Sequence, residues 1–505
     1  MAKLTYGYLT LCLFQLLEVC TAQQPSVDLS MGTLHGASEV FSDGQNDHIV
    51  KKFLGIPYAQ PPVGYRRLQR PEPIYTLQTT PYDATYLRPF CVQATSEVES
   101  DKGEDEDCLY LNVFIPDKVA DEPSGHAVMV WVYGGGFTAG DSNFYDATVL
   151  AAVGNVIVVT FNYRVGFFGF YSTGDSSAPG NYGLYDQAQA FQWVHENIEA
   201  FGGDKSRVTI FGESAGSMSV NYHSMYPQNY GRFQRVLGQS GVVMTPYLNE
   251  ARDVSENAML LGKNMNCSTY RTYDVVECLK QFSWKDIKNT LLQMEMMMPN
   301  WQASFFFPVA DGDMVMSDYN HLYEGHETVE YFRSLDLLTG VNMYDGAMGI
   351  YWLAAITGDA NTMQPTQEDM YRSLDSLSEN GITEAMTDSI RTTILHEYTN
   401  WTNPHSYHNI RLQFVQLLTD VFYGAPAADV LQLHAGEAMS GNTFAYKFTP
   451  ATSSRMPWTP SWLPGADHAE EIRSVFGLYF QYMPEWEQTL SLQIMTYWSN
   501  FAKSG

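Results

Sequence analysis

Residues 212–216 (GESAG) follow the pattern G-x-S-x-G, which places one serine, Ser214, between two glycines. Residues 208–211 before it are apolar and rich in β-branched side chains, which predicts a buried strand, and residues 217–220 can begin a helix. A sharp, strained turn between a strand and a helix exposes the serine hydroxyl at the end of a sheet, and its glycines allow the backbone to pack closely. The pattern therefore predicts that Ser214 is a nucleophile that attacks carbonyl carbon atoms.

A second segment, residues 133–137 (YGGGF), supplies backbone N–H groups that no side chain obstructs. The tetrahedral intermediate formed when a serine attacks a carbonyl carries an oxyanion, which such N–H groups stabilise. The predicted donors are Gly135, Gly136 and Ala215, the residue after the nucleophile. A glycine turn at the end of a strand would look the same on its own, but the serine motif downstream favours an oxyanion hole.

Apolar runs predict the strands that must position these segments. The two clearest, at residues 126–133 and 155–164, are nearly continuous, which is typical of strands covered by helices on both faces of a sheet. The predicted strands are residues 126–133, 155–164, 208–211, 235–239, 335–341 and 443–448. Between the second and third strands, residues 185–201 have apolar side chains at helical spacing and end at two glycines. A strand, a helix and a strand in this order predict parallel pairing, and hence an α/β fold.

The rest of the chain is predicted to be mainly helical. Residues 490–501 have an apolar helical face, whereas residues 248–332 and 356–440 lack clear strand signals. We expect the latter two segments to be helical insertions over the catalytic edge of the sheet. Since no internal repeat or flexible linker interrupts it, the sequence predicts a single domain over residues 23–505.

The 505-residue chain is strongly acidic, with a formal net charge of −28. This charge argues against a nucleic-acid partner, because phosphate binding needs a basic face, and it can attract cationic ligands. Residues 1–22 are predicted to be a secretory signal peptide, with Lys3 before an apolar stretch and small residues at its end. No later stretch is long and apolar enough to predict a membrane span. We therefore expect a secreted, soluble protein.

Four cysteines follow the predicted signal peptide: Cys91, Cys108, Cys267 and Cys278. An even number in an exported chain favours disulfides, and of the three possible connectivities the pairing of sequence neighbours is the simplest. No C-x-x-C or histidine-rich spacing accompanies the cysteines, so we expect no metal site. The sequons at Asn266 and Asn400 are candidate glycosylation sites and also fit export.

The chain resembles the type-B carboxylesterases, a family that includes cholinesterases, bile-salt-stimulated lipase and neuroligins. The resemblance covers about residues 26–505, and family members usually continue further, so this chain can lack a C-terminal segment. It rests on ordered blocks at residues 53–62 (FLGIPYAQPP), 106–113 (EDCLYLNV), 133–137, 162–166 (NYRVG), 180–187 (GNYGLYDQ), 201–216 and 239–241. The resemblance implies an α/β-hydrolase fold with a large, mostly parallel sheet flanked by helices. It also implies cleavage of carboxylic esters through an acyl-enzyme, no cofactor, and disulfides between the neighbouring cysteines.

The resemblance also implies the two partners of Ser214. Residues 465–477 (GADHAEEIRSVFG) resemble the family's histidine loop, which makes His468 the general base, and serine, acid, histidine is the chain order of this fold. Residues 340–346 (GVNMYDG) resemble its acid loop, but Asp345 stands where the family usually has glutamate. Either carboxylate can orient an imidazole and stabilise its charged form.

Several features bear on the substrate. In cholinesterases an aromatic side chain that binds quaternary ammonium lies between the cysteines of the first disulfide. Residues 92–107 contain no aromatic side chain and carry seven acids, which we expect to be solvated, so uncharged esters are favoured over choline esters. Residues 303–307 and 294–298, rich in Phe and Met, either line the substrate pocket or pack in the core. Glu213 resembles the glutamate beside the family's serine; it either supports the hydrogen-bond network, favours a cationic substrate or is structural.

Two alternatives remain open. The chain could be a non-catalytic adhesion module like the neuroligins, which have lost the nucleophile, but here Ser214, His468 and the oxyanion glycines are all present. Within the enzymes, it could be a cholinesterase or an acylglycerol lipase. The residues favour a serine hydrolase that acts on small-molecule esters.

Overall fold

The structure, a computed structural model, describes residues 24–44, 46–94, 103–245, 254–297, 306–316, 327–379, 386–436 and 440–505. The predicted signal peptide at residues 1–22 lies outside this part of the chain. No helix in the described residues is both long enough and apolar enough to cross a membrane.

Nine described strands precede the first described α-helix, strands and helices then alternate as far as β12, and most of the later elements are helices. The strands are β1 (Ser26–Leu29), β2 (Gly32–His35), β3 (Ala37–Ser42), β4 (Asp47–Pro57), β5 (Tyr82–Asp83), β6 (Phe90–Cys91), β7 (Glu104–Asp105), β8 (Tyr110–Pro116), β9 (His126–Val132), β10 (Ile157–Phe161), β11 (Gly203–Glu213), β12 (Arg235–Gln239), β13 (Asp336–Asn342) and β14 (Thr443–Phe448). The helices are α1 (Thr148–Gly154), α2 (Gly166–Phe170), α3 (Tyr182–Asn197), α4 (Ala215–Ser224), α5 (Val254–Asn264), α6 (Thr272–Leu279), α7 (Trp284–Met297), α8 (Glu327–Ser334), α9 (Ile350–Thr357), α10 (Gln367–Glu379), α11 (Asp388–Glu397), α12 (Tyr407–Thr419), α13 (Ala425–His434), α14 (Ile472–Phe476) and α15 (Glu485–Ser504).

A nine-stranded sheet forms the centre of the fold, in the order β14-β13-β12-β11-β9-β10-β8-β4-β3. The strands from β14 to β10 pair in parallel, whereas β10, β8, β4 and β3 pair antiparallel. Every residue of β9 and β10 is buried, as expected when both faces of a sheet are covered. The fold is therefore α/β with a mostly parallel sheet, as predicted.

The parallel half of the sheet sets the position of the site. Because parallel strands end at the same edge, the segments that follow β9, β11, β13 and β14 converge there. Helix α4 packs against β9, β11 and β12, and α1, α14 and α15 contact one another beside the sheet. The glycine-rich segment, the serine motif, the acid loop and the histidine loop thus all leave the sheet at one edge.

The predicted strands at residues 126–133, 235–239 and 443–448 are confirmed to within one residue by β9, β12 and β14. The strand predicted at residues 208–211 is longer than expected, because β11 begins at Gly203. In the two segments predicted to be helical insertions, the described parts contain helices α5–α8 and α10–α13. The strands β1–β8 were missed.

Both disulfides join sequence neighbours: Cys91 with Cys108, and Cys267 with Cys278. The first covalently closes the acidic segment that precedes β8. Asn266 and Asn400 are exposed, so both predicted glycosylation sequons lie on the surface.

Candidate active site

Ser214 occupies the turn between β11 and α4. Its backbone has φ 56° and ψ −124°, a conformation that non-glycine residues adopt only where the surrounding structure holds them there. The Ser214 N–H donates a hydrogen bond of 2.8 Å to the Gln239 carbonyl at the end of β12. The turn is therefore fixed by the neighbouring strand, as the serine motif predicts.

The two glycines of the motif permit this turn because they pack directly against backbone. A Cβ on Gly216 would lie 2.0 Å from the Val132 carbonyl oxygen, and one on Gly212 would lie 2.5 Å from the Gly216 carbonyl carbon. Real Cβ atoms do not approach backbone so closely, so any side chain here would push α4 away from β9. The close approach brings Ser214 to the end of β9, where the glycine-rich segment begins.

The glycine-rich segment lies against the serine. A Cβ on Gly134 would be 3.0 Å from the Ser214 Cβ, and Gly135 and Gly136 have positive φ angles of 108° and 60°. The Gly166 N–H donates to the Phe137 carbonyl at 2.7 Å, which ties the segment to the start of α2.

The three predicted oxyanion donors have free N–H groups. Among the described residues, the backbone N–H groups of Gly135, Gly136 and Ala215 make no hydrogen bond to a protein acceptor. Ala215 is buried and Gly136 is half-buried, and N–H groups in such places are nearly always paired, whereas Gly135 is exposed. Unpaired N–H groups beside Ser214 fit the predicted oxyanion hole.

His468 and Asp345 form a buried pair. The Nδ1 atom of His468 lies 3.0 Å from the Asp345 Oδ1 atom, and both side chains are buried. The second Asp345 oxygen accepts hydrogen bonds from the Ser240 hydroxyl at 2.9 Å and the Asn342 N–H at 2.6 Å. Both oxygens are thus occupied, which holds the carboxylate in one orientation.

The aspartate reaches the imidazole because its loop pairs with the histidine loop. Tyr344 and Asp467, the residues just before Asp345 and His468, form an isolated parallel bridge. The Tyr344 N–H donates to the Ala466 carbonyl at 2.9 Å. This contact brings the two backbones together. The Asp345 side chain therefore reaches the imidazole although it is one methylene shorter than that of glutamate.

The other imidazole nitrogen faces Glu213. The Nε2 atom of His468 lies 3.1 Å from the Glu213 Oε1 atom, and this oxygen accepts no hydrogen bond among the described residues, so the contact is one of charge. Among the described contacts, no hydrogen bond joins the Ser214 hydroxyl to His468. Catalytic hydrogen bonds are often long in the absence of substrate and tighten when it binds.

Glu471 is a third carboxylate near the imidazole, and sequence reasoning missed it. Its two oxygens accept hydrogen bonds from the Gln239 amide at 2.9 Å and the Asn342 amide at 2.5 Å. The Tyr423 ring lies over the His468 ring, with centroids 5.0 Å apart. The spacing of three residues from His468 was the available signal, because residues i and i+3 share one side of a helical turn.

Burial and charge together raise the pKa values of Glu213 and His468. Burial raises the pKa of Glu213 to about 8, with His468 opposing the rise and Glu471 and Asp345 adding to it. Burial lowers the pKa of His468, but the charge of Glu213 and the hydrogen bond and charge of Asp345 outweigh it and raise the pKa to about 10. The cluster therefore favours an imidazolium, the form that a general base reaches after it accepts a proton.

The acidic segment differs from the expectation of a solvated loop. Glu106 is buried and forms two hydrogen bonds of 2.6 Å with the Arg67 guanidinium, and Glu104 pairs with Lys288 at 2.5 Å. Glu106 was expected to be solvated, and this was wrong because a buried arginine from a distant segment compensates its charge. Residues 95–102 lie outside the described residues.

The aromatic and Met-rich segments are only partly described. Phe306 is buried and packs on Phe167 and Tyr171, with ring centroids 5.8 and 5.9 Å apart, and Met294 is buried in the main core. Packing in the core therefore accounts for these two side chains, whereas residues 298–305 lie outside the described residues.

The sheet order, the strained serine turn and the convergent loops define a protein of the α/β-hydrolase class. The chain belongs to the carboxylesterase family, whose sequence profile matches residues 23–505.

Two kinds of relative share most of this chain. Human bile salt-activated lipase is 37% identical over 472 residues, which cover 90% of this chain but only 59% of the lipase. Rat bile salt-activated lipase is 35% identical over 518 residues, 98% of this chain and 79% of the lipase. Mouse neuroligin-3 is 33% identical over 556 residues, 99% of this chain and 64% of the neuroligin.

The Asp345–His468 contact predicts that Asp345→Asn reduces turnover of an ester substrate by ~10⁴ while the fold is kept. An amide would present an N–H or a weaker acceptor to Nδ1 and stabilise the wrong tautomer. Turnover of a phenyl ester and the circular dichroism spectrum measure the two effects.

Asp359→Asn is the matched control, since Asp359 only accepts hydrogen bonds from its own loop, at Asn361 and Thr362. Asp336, the other nearby carboxylate in the sequence, pairs instead with Arg235 at 3.2 Å. If Asp345→Asn keeps its activity while Asp359→Asn or Asp336→Asn is inactive, Asp345 is not the acid that orients His468.

The Glu213–His468 contact predicts a pH effect. Catalysis needs the neutral imidazole, and a carboxylate beside the ring favours the charged form, so the acidic limb of kcat/KM should lie above the ordinary imidazole value of about 6.5. Glu213→Gln removes this charge and should move the limb to lower pH. The two profiles are measured with a non-ionising ester. If the acidic limbs of the parent and of Glu213→Gln lie at the same pH, Glu213 does not influence the pKa of His468.

Proposed function

We propose that this protein is a carboxylic ester hydrolase that acts through an acyl-enzyme on Ser214. The observation that carries the proposal is the position of Ser214 in a strained turn, beside three free backbone N–H groups and at the same sheet edge as the His468–Asp345 pair. A nucleophile, a buried base with an orienting acid, and donors for an oxyanion are the parts that acyl transfer needs.

In the proposed reaction, the Ser214 hydroxyl attacks the ester carbonyl while His468 Nε2 accepts its proton. The N–H groups of Gly135, Gly136 and Ala215 stabilise the oxyanion of the tetrahedral intermediate. The intermediate collapses when the C–O bond to the alcohol breaks and His468 returns the proton to the leaving oxygen. Water then attacks the acyl-enzyme by the same steps and releases the acid.

The surrounding carboxylates support this proposal. Asp345 holds the Nδ1 side of the ring, while the charges of Glu213 and Glu471 favour the imidazolium that forms in each step. A charge that develops inside a buried site is stabilised more strongly there than in water. The same charges also favour the imidazolium in the resting protein, which raises the pH at which the neutral base becomes available.

The second candidate function, a non-catalytic adhesion module, is favoured by the 33% identity to neuroligin-3 over nearly the whole chain. An adhesion module has no need of a strained serine, unpaired N–H groups or an imidazole paired with an acid. These features support the enzyme, and an assay of Ser214 separates the two functions.

We propose that the protein acts outside the cell. Its two disulfides fit an oxidising compartment, and both glycosylation sequons are exposed.

Ser214→Ala should reduce hydrolysis of phenyl and naphthyl esters by ~10⁶, because no other group replaces the nucleophile. The variant should keep the thermal midpoint of the parent. Ser389→Ala, at an exposed position on α11, is the matched control and should remain fully active. Hydrolysis by Ser214→Ala at the parent rate would contradict the enzyme proposal, and an inactive parent would support the adhesion module.

The absence of an aromatic side chain between Cys91 and Cys108 predicts a preference for neutral esters. Acetylthiocholine should be hydrolysed no faster than a neutral thioester of similar size at moderate salt, since no ring is available there to bind its ammonium group. A comparison of kcat/KM for the two thioesters measures this. A strong preference for the choline ester would contradict the predicted substrate class.

A further inference from the structure

A cleft away from the candidate catalytic residues has a cavity of about 440 Å³. It lies between the β3 edge, the segment around Phe144 before α1, and the loop 477–482 after α14. None of Ser214, Asp345, His468 and the oxyanion glycines lines it. Its volume falls in the range of small-molecule sites.

Aromatic side chains form the walls of this cleft, which we call the aromatic cleft. Phe144, Tyr479 and Tyr482 have 55%, 75% and 82% of their surface exposed, while Phe41 and Phe480 pack edge to face below them. Tyr479 has a φ of 59°, which a bulky residue rarely adopts, so the loop holds its ring outward at some cost. Large exposed rings grouped around a cavity are typical of a binding surface rather than of a solvated one.

Two carboxylates, those of Glu39 and Asp146, line the same cleft. Both bind the Lys52 ammonium, at 2.7 and 2.8 Å. The Lys52 side chain is only 11% exposed, whereas each carboxylate is 52% exposed, so the acids cover the lysine and face the cleft. Two negative charges against one positive charge leave one excess negative charge beside the exposed rings.

We propose that the aromatic cleft binds a small organic cation with an apolar body, such as an aromatic quaternary ammonium. The ring faces attract a cation through their quadrupoles, and the excess carboxylate charge adds to this attraction. An anion would meet the two carboxylates first, and the net charge of −28 repels it at long range. The site is separate from the proposed ester hydrolysis, because the two share no lining residue.

The experiment titrates benzyltrimethylammonium into the full chain and follows ligand signals by saturation-transfer NMR. Neopentylbenzene, in which carbon replaces the ammonium nitrogen, is the neutral control and should bind at least about fivefold more weakly. Treatment of the protein with a fluorophosphonate, which targets Ser214, should leave the affinity for the cation unchanged. The result therefore does not depend on whether the protein hydrolyses esters.

Tyr479→Ala and Tyr482→Ala should each weaken binding of the cation by about two- to fivefold, whereas Tyr479→Phe keeps the ring and most of the affinity. Tyr270→Ala, at an 89% exposed tyrosine on another part of the surface, is the matched control. All four variants should hydrolyse esters like the parent. The proposal would be overturned if Tyr479→Ala and Tyr482→Ala both bound the cation as tightly as the parent does. It would also be overturned if neopentylbenzene bound as tightly as benzyltrimethylammonium.

Discussion

The close packing of the serine turn on the central strand is the constraint on which the rest of the site depends. The Gly216 backbone lies directly against the Val132 carbonyl, with no room for a Cβ atom. This approach holds the start of α4 at the carboxyl end of β9 and places Ser214 beside the glycine-rich segment that leaves the same strand. The proposed nucleophile and oxyanion donors therefore meet because two strand ends meet, and the strain at Ser214 is maintained by backbone on both sides.

Charge around a buried imidazole is the second constraint. Burial alone would disfavour a protonated His468, but the three carboxylates Asp345, Glu213 and Glu471 surround it. Asp345 forms the hydrogen bond to the ring at 3.0 Å, whereas Glu213, 3.1 Å from Nε2, and Glu471 contribute through their charges. One carboxylate, Asp345, thus orients the His468 ring, whereas all three carboxylates compensate the charge of the imidazolium. The hydrogen bonds that Asn342 makes to both Asp345 and Glu471 keep these two acids in place.

Sequence patterns predicted the parallel core and its loops well, because buried parallel strands have continuous apolar runs. They missed the N-terminal strands. β3 has only one buried residue and shows no such run, whereas β8 has six consecutive buried residues and was not interpreted as a strand. The contacts of Tyr423 and Glu106, and the hydrogen bonds of Glu471 to Gln239 and Asn342, involve partners in other segments of the chain, which local spacing does not encode. For the same reason the sequence offered only the ordinary imidazole pKa for His468, whereas the structure raises it.

Covalent trapping tests most directly whether Ser214 is a nucleophile that His468 activates. The full chain is incubated with a fluorophosphonate at neutral pH, and the adduct is located by peptide mass spectrometry, with His468→Ala as a second sample. We expect a single phosphonyl group on Ser214 in the parent, and much slower labelling without the histidine because the hydroxyl then lacks its base. An unlabelled parent, or a label on a different serine, would contradict it.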